Sequence, residues 1–251
     1  MLKEDAAWPR AAAWLKADAG AKADLALLGV PANLTSISAT GANATPDAIR
    51  QALLRYSLQS SAGSIESISA IDAGNIDEPD HNEAVTIAKV AELTTRTKLV
   101  VALGGDNSVT YATALGAFGD ELGQAGLITF DAHHDIRHGV SNGSPVRRLI
   151  EAGLNPKRIV QIGINDFSNS PAYANEAAEL GIHVIHRDEL ETRARADVMA
   201  EAFGVAGSGG GPIHVDIDVD VCDRAFVPAC PAAAPGGITA YQLRKLARLV
   251  A

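Results

Sequence analysis

Seven short apolar runs rich in valine, isoleucine and leucine punctuate the chain, at residues 24–31, 64–75, 98–106, 125–135, 158–166, 181–189 and 212–220. Each is nearly continuous in its apolarity, without strict alternation. That is the pattern of strands covered on both faces, as in a parallel sheet. Between them lie segments with helical spacing, at 44–57, 81–97, 108–118, 144–153, 170–181 and 239–250. In the first of these Thr45 is expected to cap the helix, Pro46 to open it, and Ile49, Leu53 and Leu54 to form its apolar side. Strand and helix alternate from 23 to the end, which predicts an α/β fold: a single three-layer domain with a mostly parallel sheet flanked by helices. Residues 1–22 read as an N-terminal extension or helix.

Composition narrows the partners more than the fold. The chain has 251 residues, 47% of them hydrophobic, enough for a sizeable core. Thirty acidic against 21 basic residues give a net charge of −9, which argues against nucleic acid or an anionic membrane surface as a partner. The two cysteines, Cys222 and Cys230, make neither a disulfide framework nor a zinc knuckle, and no run reaches the ~18 apolar residues of a membrane span. A cytoplasmic protein is expected. The glycine-rich stretch 204–212 precedes a strand and reads as a flexible connector. The sequence ALGGDNS follows a strand but lacks the lysine of a P-loop and the third glycine of a dinucleotide fingerprint.

Chemistry concentrates where strands end, which is where open α/β sheets place their ligands. One tip delivers Asp106 and Asn107, a second Asp131, His133 and Asp135, and a third Asp216, Asp218, Asp220 and Asp223. A lone aspartate at a strand end is most often a turn or cap residue. Three acid-rich tips, two of them with alternate-residue spacing, point instead to convergence. Residues two apart on an extended strand share a face, so Asp131, His133 and Asp135 are predicted to meet while Ala132 and His134 turn away. Carboxylates with one imidazole form a hard donor set suited to Mn²⁺. His81, His183, His186 and His214 lack this context and are expected at the surface or in a satisfied core.

The blocks GGDNS, DAHHD and DIDVDVCDRAFVPACPAAAPGG resemble the signatures of the ureohydrolase superfamily, which contains arginase, agmatinase and formimidoylglutamase. The likeness runs from about Ala23 to the end. It implies an arginase-like α/β fold, two Mn²⁺ ions per chain, and a trimer or hexamer. Asn107, Asp131, Asp135 and Asp218 would hold one ion, and His133, Asp131, Asp218 and Asp220 the other. A water activated between them would attack the carbon of a formimidoyl or guanidino group, and Asp135 would be catalytic, passing a proton to the leaving amine.

Within the superfamily the stretches after DAHHD and after the strand at 158–166 are most similar to formimidoylglutamases. The resemblance makes Arg137, Asn142, Gly143 and Asn169 substrate-binding, with N-formimidoyl-L-glutamate hydrolysed to L-glutamate and formamide in histidine breakdown. An arginine beside the site repels a guanidinium and attracts a dicarboxylate. The alternatives are a hydrolase of arginine, agmatine or another guanidino compound that releases urea, and a metal-poor inactive relative that serves as a binding or scaffold protein. Three positions depart from the pattern: Asn107 stands for a metal-binding histidine, Asn142 for the histidine used by arginases in proton transfer, and Arg224 for a proline. The resemblance also implies a further strand and closing helix after the last predicted helix, which the sequence to Ala251 does not include.

Overall fold

All seven apolar runs form strands in the computed structural model, which describes residues 5–250. The chain divides into two compact units, one of residues 1–34 and 41–116 and one of 35–40 and 117–251. Each contains a four-stranded parallel sheet flanked by helices, so the α/β class is as expected. Among the described residues no helix is long and apolar enough to cross a membrane.

The first unit contains β1 (Ala23–Val30), α1 (Thr45–Leu53), β2 (Ala70–Asn75), α2 (Glu83–Thr94), β3 (Thr97–Gly104) and most of α3 (Val109–Phe118). Its sheet runs in the order Lys16–Ala17, β2, β1, β3. The N-terminal segment is therefore part of the sheet: Lys16 and Ala17 pair with Ile71 and Asp72, and the Trp14 indole donates to Ile68 O at 2.7 Å. At α1 the start differs from expectation by one residue. Thr45 is the first helical residue, preceded by a 3-10 turn over Ala42–Ala44, and Ala44 occupies the cap without a side-chain bond. Of its expected apolar side, Ile49 and Leu54 are exposed.

The second unit contains β4 (Gly126–Phe130), α4 (Pro145–Ala152), β5 (Ile159–Ile164), α5 (Pro171–Leu180), β6 (His183–His186), α6 (Arg195–Ala206), β7 (Ile213–Ile217) and α7 (Ala240–Ala247). The sheet order is β7, β4, β5, β6. Every residue of the two central strands β4 and β5 is buried, which accounts for their continuous apolarity. Proline opens α4 and α5, and the Ser170 hydroxyl caps α5 by accepting from Tyr173 N at 3.3 Å. α7 starts in a capping box between Thr239 and Gln242. The core gathers Ile128, Phe130, Val160, Ile162 and Ile185 against Val198, Met199, Ala202 and Ala206 of α6.

α6 was not expected from the pattern, and the stretch after it is no flexible connector. Gly204–Ala206 form the last turn of α6, and Gly207–Gly209 form a 3-10 turn. A Cβ on Gly209 would stand 2.3 Å from Gln124 O, whereas one on Gly204 would meet nothing within 4 Å. The two glycines therefore respond oppositely to alanine. Gly204→Ala, in the last turn of the helix, is expected to stabilise by about 0.5–1 kcal/mol. Gly209→Ala is expected to destabilise by about 1–3 kcal/mol through the clash, both read from urea denaturation.

Candidate functional site

The strand order of the second unit makes β4 and β7 neighbours, although they lie far apart in sequence, so their carboxyl ends deliver residues 131–135 and 218–220 to adjacent tips. Both strands stop short of the acids: β4 ends at Phe130 and β7 at Ile217. Convergence by strand alternation is thus corrected by the structure. The acids sit in tight turns, fixed by backbone donors. Asp218 caps a 3-10 turn over Val219–Val221, its Oδ1 accepting from Asp220 N at 2.9 Å. Asp131 Oδ1 accepts from His133 N at 2.6 Å, and Asp220 Oδ1 from Ala132 N at 3.1 Å.

The turns interlock across the two tips. His133 Nδ1 lies 2.9 Å from Asp220 Oδ2 and 3.5 Å from Asp131 Oδ1, and one donor atom from each of Asp131, His133 and Asp220 falls within 4.8 Å of the others. Gly163 makes room for this approach. It forms a bulge in β5 with φ of 103°, and a Cβ there would stand 2.4 Å from Val221 Cγ2 and 3.4 Å from Asp131 O. Asp135 is also in a left-handed conformation, φ 53°, with its carbonyl accepting from Val146 N and Arg147 N at the start of α4. An aspartate tolerates that region better than most residues, and such outliers collect at functional sites.

Burial and mutual repulsion dominate the electrostatics. Asp131 is held well above the usual carboxylate range by burial and by the charges of Asp135, Asp220 and Asp218. Asp218 is raised likewise by burial and by Asp220. Burial and Asp220 push Asp135 up to about 7. For His133, burial lowers the imidazole, but the hydrogen bond and charge of Asp220 outweigh it and the net shift is upward. A set of carboxylates in this condition fits divalent cations: the donors are hard, closely spaced and mutually repelling.

The other residues singled out by sequence occupy varied places. His134 does turn away, as expected: its Nδ1 is 2.6 Å from Gln161 Oε1, and its carbonyl accepts from Gln161 Nε2 at 2.7 Å. Asn169 ties down the same loop, Oδ1 accepting from His134 N at 3.0 Å and Nδ2 donating to Ala132 O at 2.9 Å. Asn142 Oδ1 accepts from Ile37 N, and Gly143 O accepts from Arg137 N. Arg137 is exposed, and its charge reaches His133. Asp223 is no part of the cluster; it accepts from Ala225 N and Gly236 N, while Arg224 donates to Pro231 O and Ala233 O, so both order the loop after the cluster. In the first unit, Asp106 accepts from Ser108 N and Oγ in the turn before α3, and Asn107 Oδ1 accepts from Thr110 Oγ1 at 3.0 Å. His183 pairs with Glu201 at 2.6 Å, and His81 and His186 are exposed. Burial draws His214, set edge-on to Phe118, down to about 4.

Carboxylate-lined turns at the carboxyl ends of parallel strands are the build of α/β metal-dependent hydrolases, and that is the class the fold and cluster define. The model of the Arginase family matches residues 23–251, and the chain belongs to that family of hydrolases. It is 35% identical to a formimidoylglutamase of Halalkalibacterium halodurans over 86% of this chain and 72% of that one. To a guanidinopropionase of Pseudomonas aeruginosa it is 40% identical over 60% of this chain and 48% of that one. The crystal structure of formimidoylglutamase from Bacillus subtilis superposes with a TM-score of 0.92 at 28% identity, covering 100% of this chain and 82% of that one.

The raised carboxyls fix how the site responds to pH. Folded Asp135 keeps its proton up to about 7, whereas an unfolded aspartate loses it near 3.8. The folded state therefore binds more protons across that window, and the cation-free protein loses stability as pH rises through it. His214 acts in the opposite sense, its folded value about 4 lying below the ordinary 6.5, so its contribution is lost as pH falls from 6.5 towards 4. A cation entering the cluster must displace the carboxyl proton. Titration calorimetry with Mn²⁺ in two buffers of different ionisation enthalpy is expected to show release of at least one proton at pH 6, with affinity falling up to about tenfold per pH unit below about 7.

Proposed function

We propose that the protein is a manganese-dependent hydrolase of N-formimidoyl-L-glutamate, giving L-glutamate and formamide. The observation that carries the reading is the interlocked cluster of Asp131, His133 and Asp220, with Asp135 and Asp218 raised beside it. Asp131, His133, Asp135, Asp218 and Asp220 would hold the metal. Bound Mn²⁺ supplies Lewis-acid activation of water and neutralises the carboxylates. The rest falls to the protein. Asp135 orients the attacking water, takes its proton and delivers it to the departing amine nitrogen as the formimidoyl C–N bond breaks. The turns hold their acids by backbone hydrogen bonds, so the cluster needs little rearrangement during the reaction.

Substrate choice rests on Arg137. Its side chain packs over Gly143, Cδ lying 3.0 Å from where a Cβ would stand on that glycine, and the residue is exposed with its charge felt at His133. A cation at that position attracts the carboxylates of formimidoylglutamate and repels a guanidinium. The names of the Halalkalibacterium and Bacillus relatives support this choice, and the guanidinopropionase match supports the urea-releasing alternative.

The Mn²⁺-loaded protein is expected to release formamide from N-formimidoyl-L-glutamate and no urea from arginine, agmatine or 3-guanidinopropionate. Arg137→Gln should raise KM roughly tenfold and change kcat much less, since an exposed guanidinium contributes about 1–2 kcal/mol to binding a carboxylate. Urea release from a guanidino compound at comparable efficiency would overturn the substrate reading. No turnover of any of the four by Mn²⁺-loaded protein would favour a non-catalytic relative.

A further inference from the structure

One face of the second unit's sheet carries a polar row just below the cluster. Ile128, Phe130, Val160 and Ile162 belong to the apolar core, with Ile213 and Val215 packed against it. Alternation along the strands turns Thr129, Gln161 and Asp216 to the opposite face. These three are register partners on adjacent strands, Thr129 standing between Gln161 and Asp216. Gln161 is buried, with both ends of its amide engaged by His134. Thr129 is only 1% exposed, and its Oγ1 has no hydrogen-bond partner among the described residues. A buried hydroxyl left so is costly, and native folds commonly meet such a group with an ordered water.

Two residues beyond Thr129 and Asp216 come Asp131 and Asp218. The charge of Asp216 reaches Asp135 and Asp218. The site therefore feels a fifth carboxylate that the hydrolytic reading leaves without a role.

We propose that Thr129 and Asp216 form a polar seat beneath the cluster, an ordered water joining the hydroxyl to the carboxylate, and that Asp216 is a positioning residue which tightens divalent-cation binding through Asp218. The inference rests on the metal-dependent reading above. A negative charge behind the ligands deepens the potential that a cation enters, and groups in this relation to a metal site typically change affinity by about 10–100-fold. The same charge burdens the cation-free protein by repelling its neighbours. Removing it should therefore act in opposite directions on the two states, which loss of ordinary packing would not do.

The test combines Mn²⁺ titration calorimetry with thermal melting of the full chain. Asp216→Asn is expected to weaken Mn²⁺ binding roughly tenfold or more. It should also leave the melting temperature of the cation-free protein equal to or above wild type, and keep substrate KM and kcat near wild type at saturating Mn²⁺. Thr129→Val should weaken Mn²⁺ roughly threefold, by loss of one hydrogen bond to the seat, and add nothing in an Asp216→Asn background. Affinity within twofold of wild type in Asp216→Asn, a lower melting temperature of its cation-free form, or an undiminished Thr129→Val effect in the double variant would overturn the proposal alone. Failure of the wild-type protein to bind Mn²⁺ would overturn the metal-dependent reading together with it.

Discussion

Four aspartates brought together out of water repel one another, and the second unit is organised around holding them despite that repulsion. Parallel pairing of β4 with β7 sets the two acid-bearing turns side by side. Backbone N–H groups of Ala132, His133 and Asp220 then fix individual carboxylate oxygens. The imidazole of His133 pairs with Asp131 and Asp220. The carboxyls of Asp131, Asp135 and Asp218 respond by holding protons above their ordinary range. Divalent cations would relieve the same strain by replacing those protons.

The layers behind the turns serve the same end. β4 and β5 are buried throughout, so the ground from which the turns spring is rigid. Gln161 clasps His134, and Asn169 holds both Ala132 and His134, which fixes the segment between Asp131 and Asp135 from the side away from the acids. Arg147 donates to Ile136 O and pairs with Glu176, tying the start of α4 to α5. On the proposed reading, substrate discrimination would fall to exposed groups around this fixed centre, Arg137 first among them.

Much of this was legible in the chain itself. β4 and β5 were plain because strands buried on both faces have no solvent side to dilute the apolar signal. Asp131, His133, Asp135, Asp218 and Asp220 were identifiable because each follows an apolar strand. Strand alternation does not produce their convergence, because it presupposes an extended strand and the chain leaves the strand before Asp131 and Asp218. α6 carries a weak apolar period because the small side chains of Ala202 and Ala206 share its buried side with Val198 and Met199. The glycines after it looked flexible because a sequence does not show that Gln124 lies against Gly209. Nor does a sequence show that Asn169 uses its amide on a neighbouring loop, or that Thr129 and Asp216 are register partners. Those facts arise from strand order.

The most direct test is crystallographic. Crystals grown with Mn²⁺ and measured at the manganese absorption edge should give anomalous difference peaks among the carboxylates of Asp131, Asp135, Asp218 and Asp220 and the imidazole of His133. A fully loaded crystal with no peak there, or with manganese only at other acids of the surface, would contradict the account.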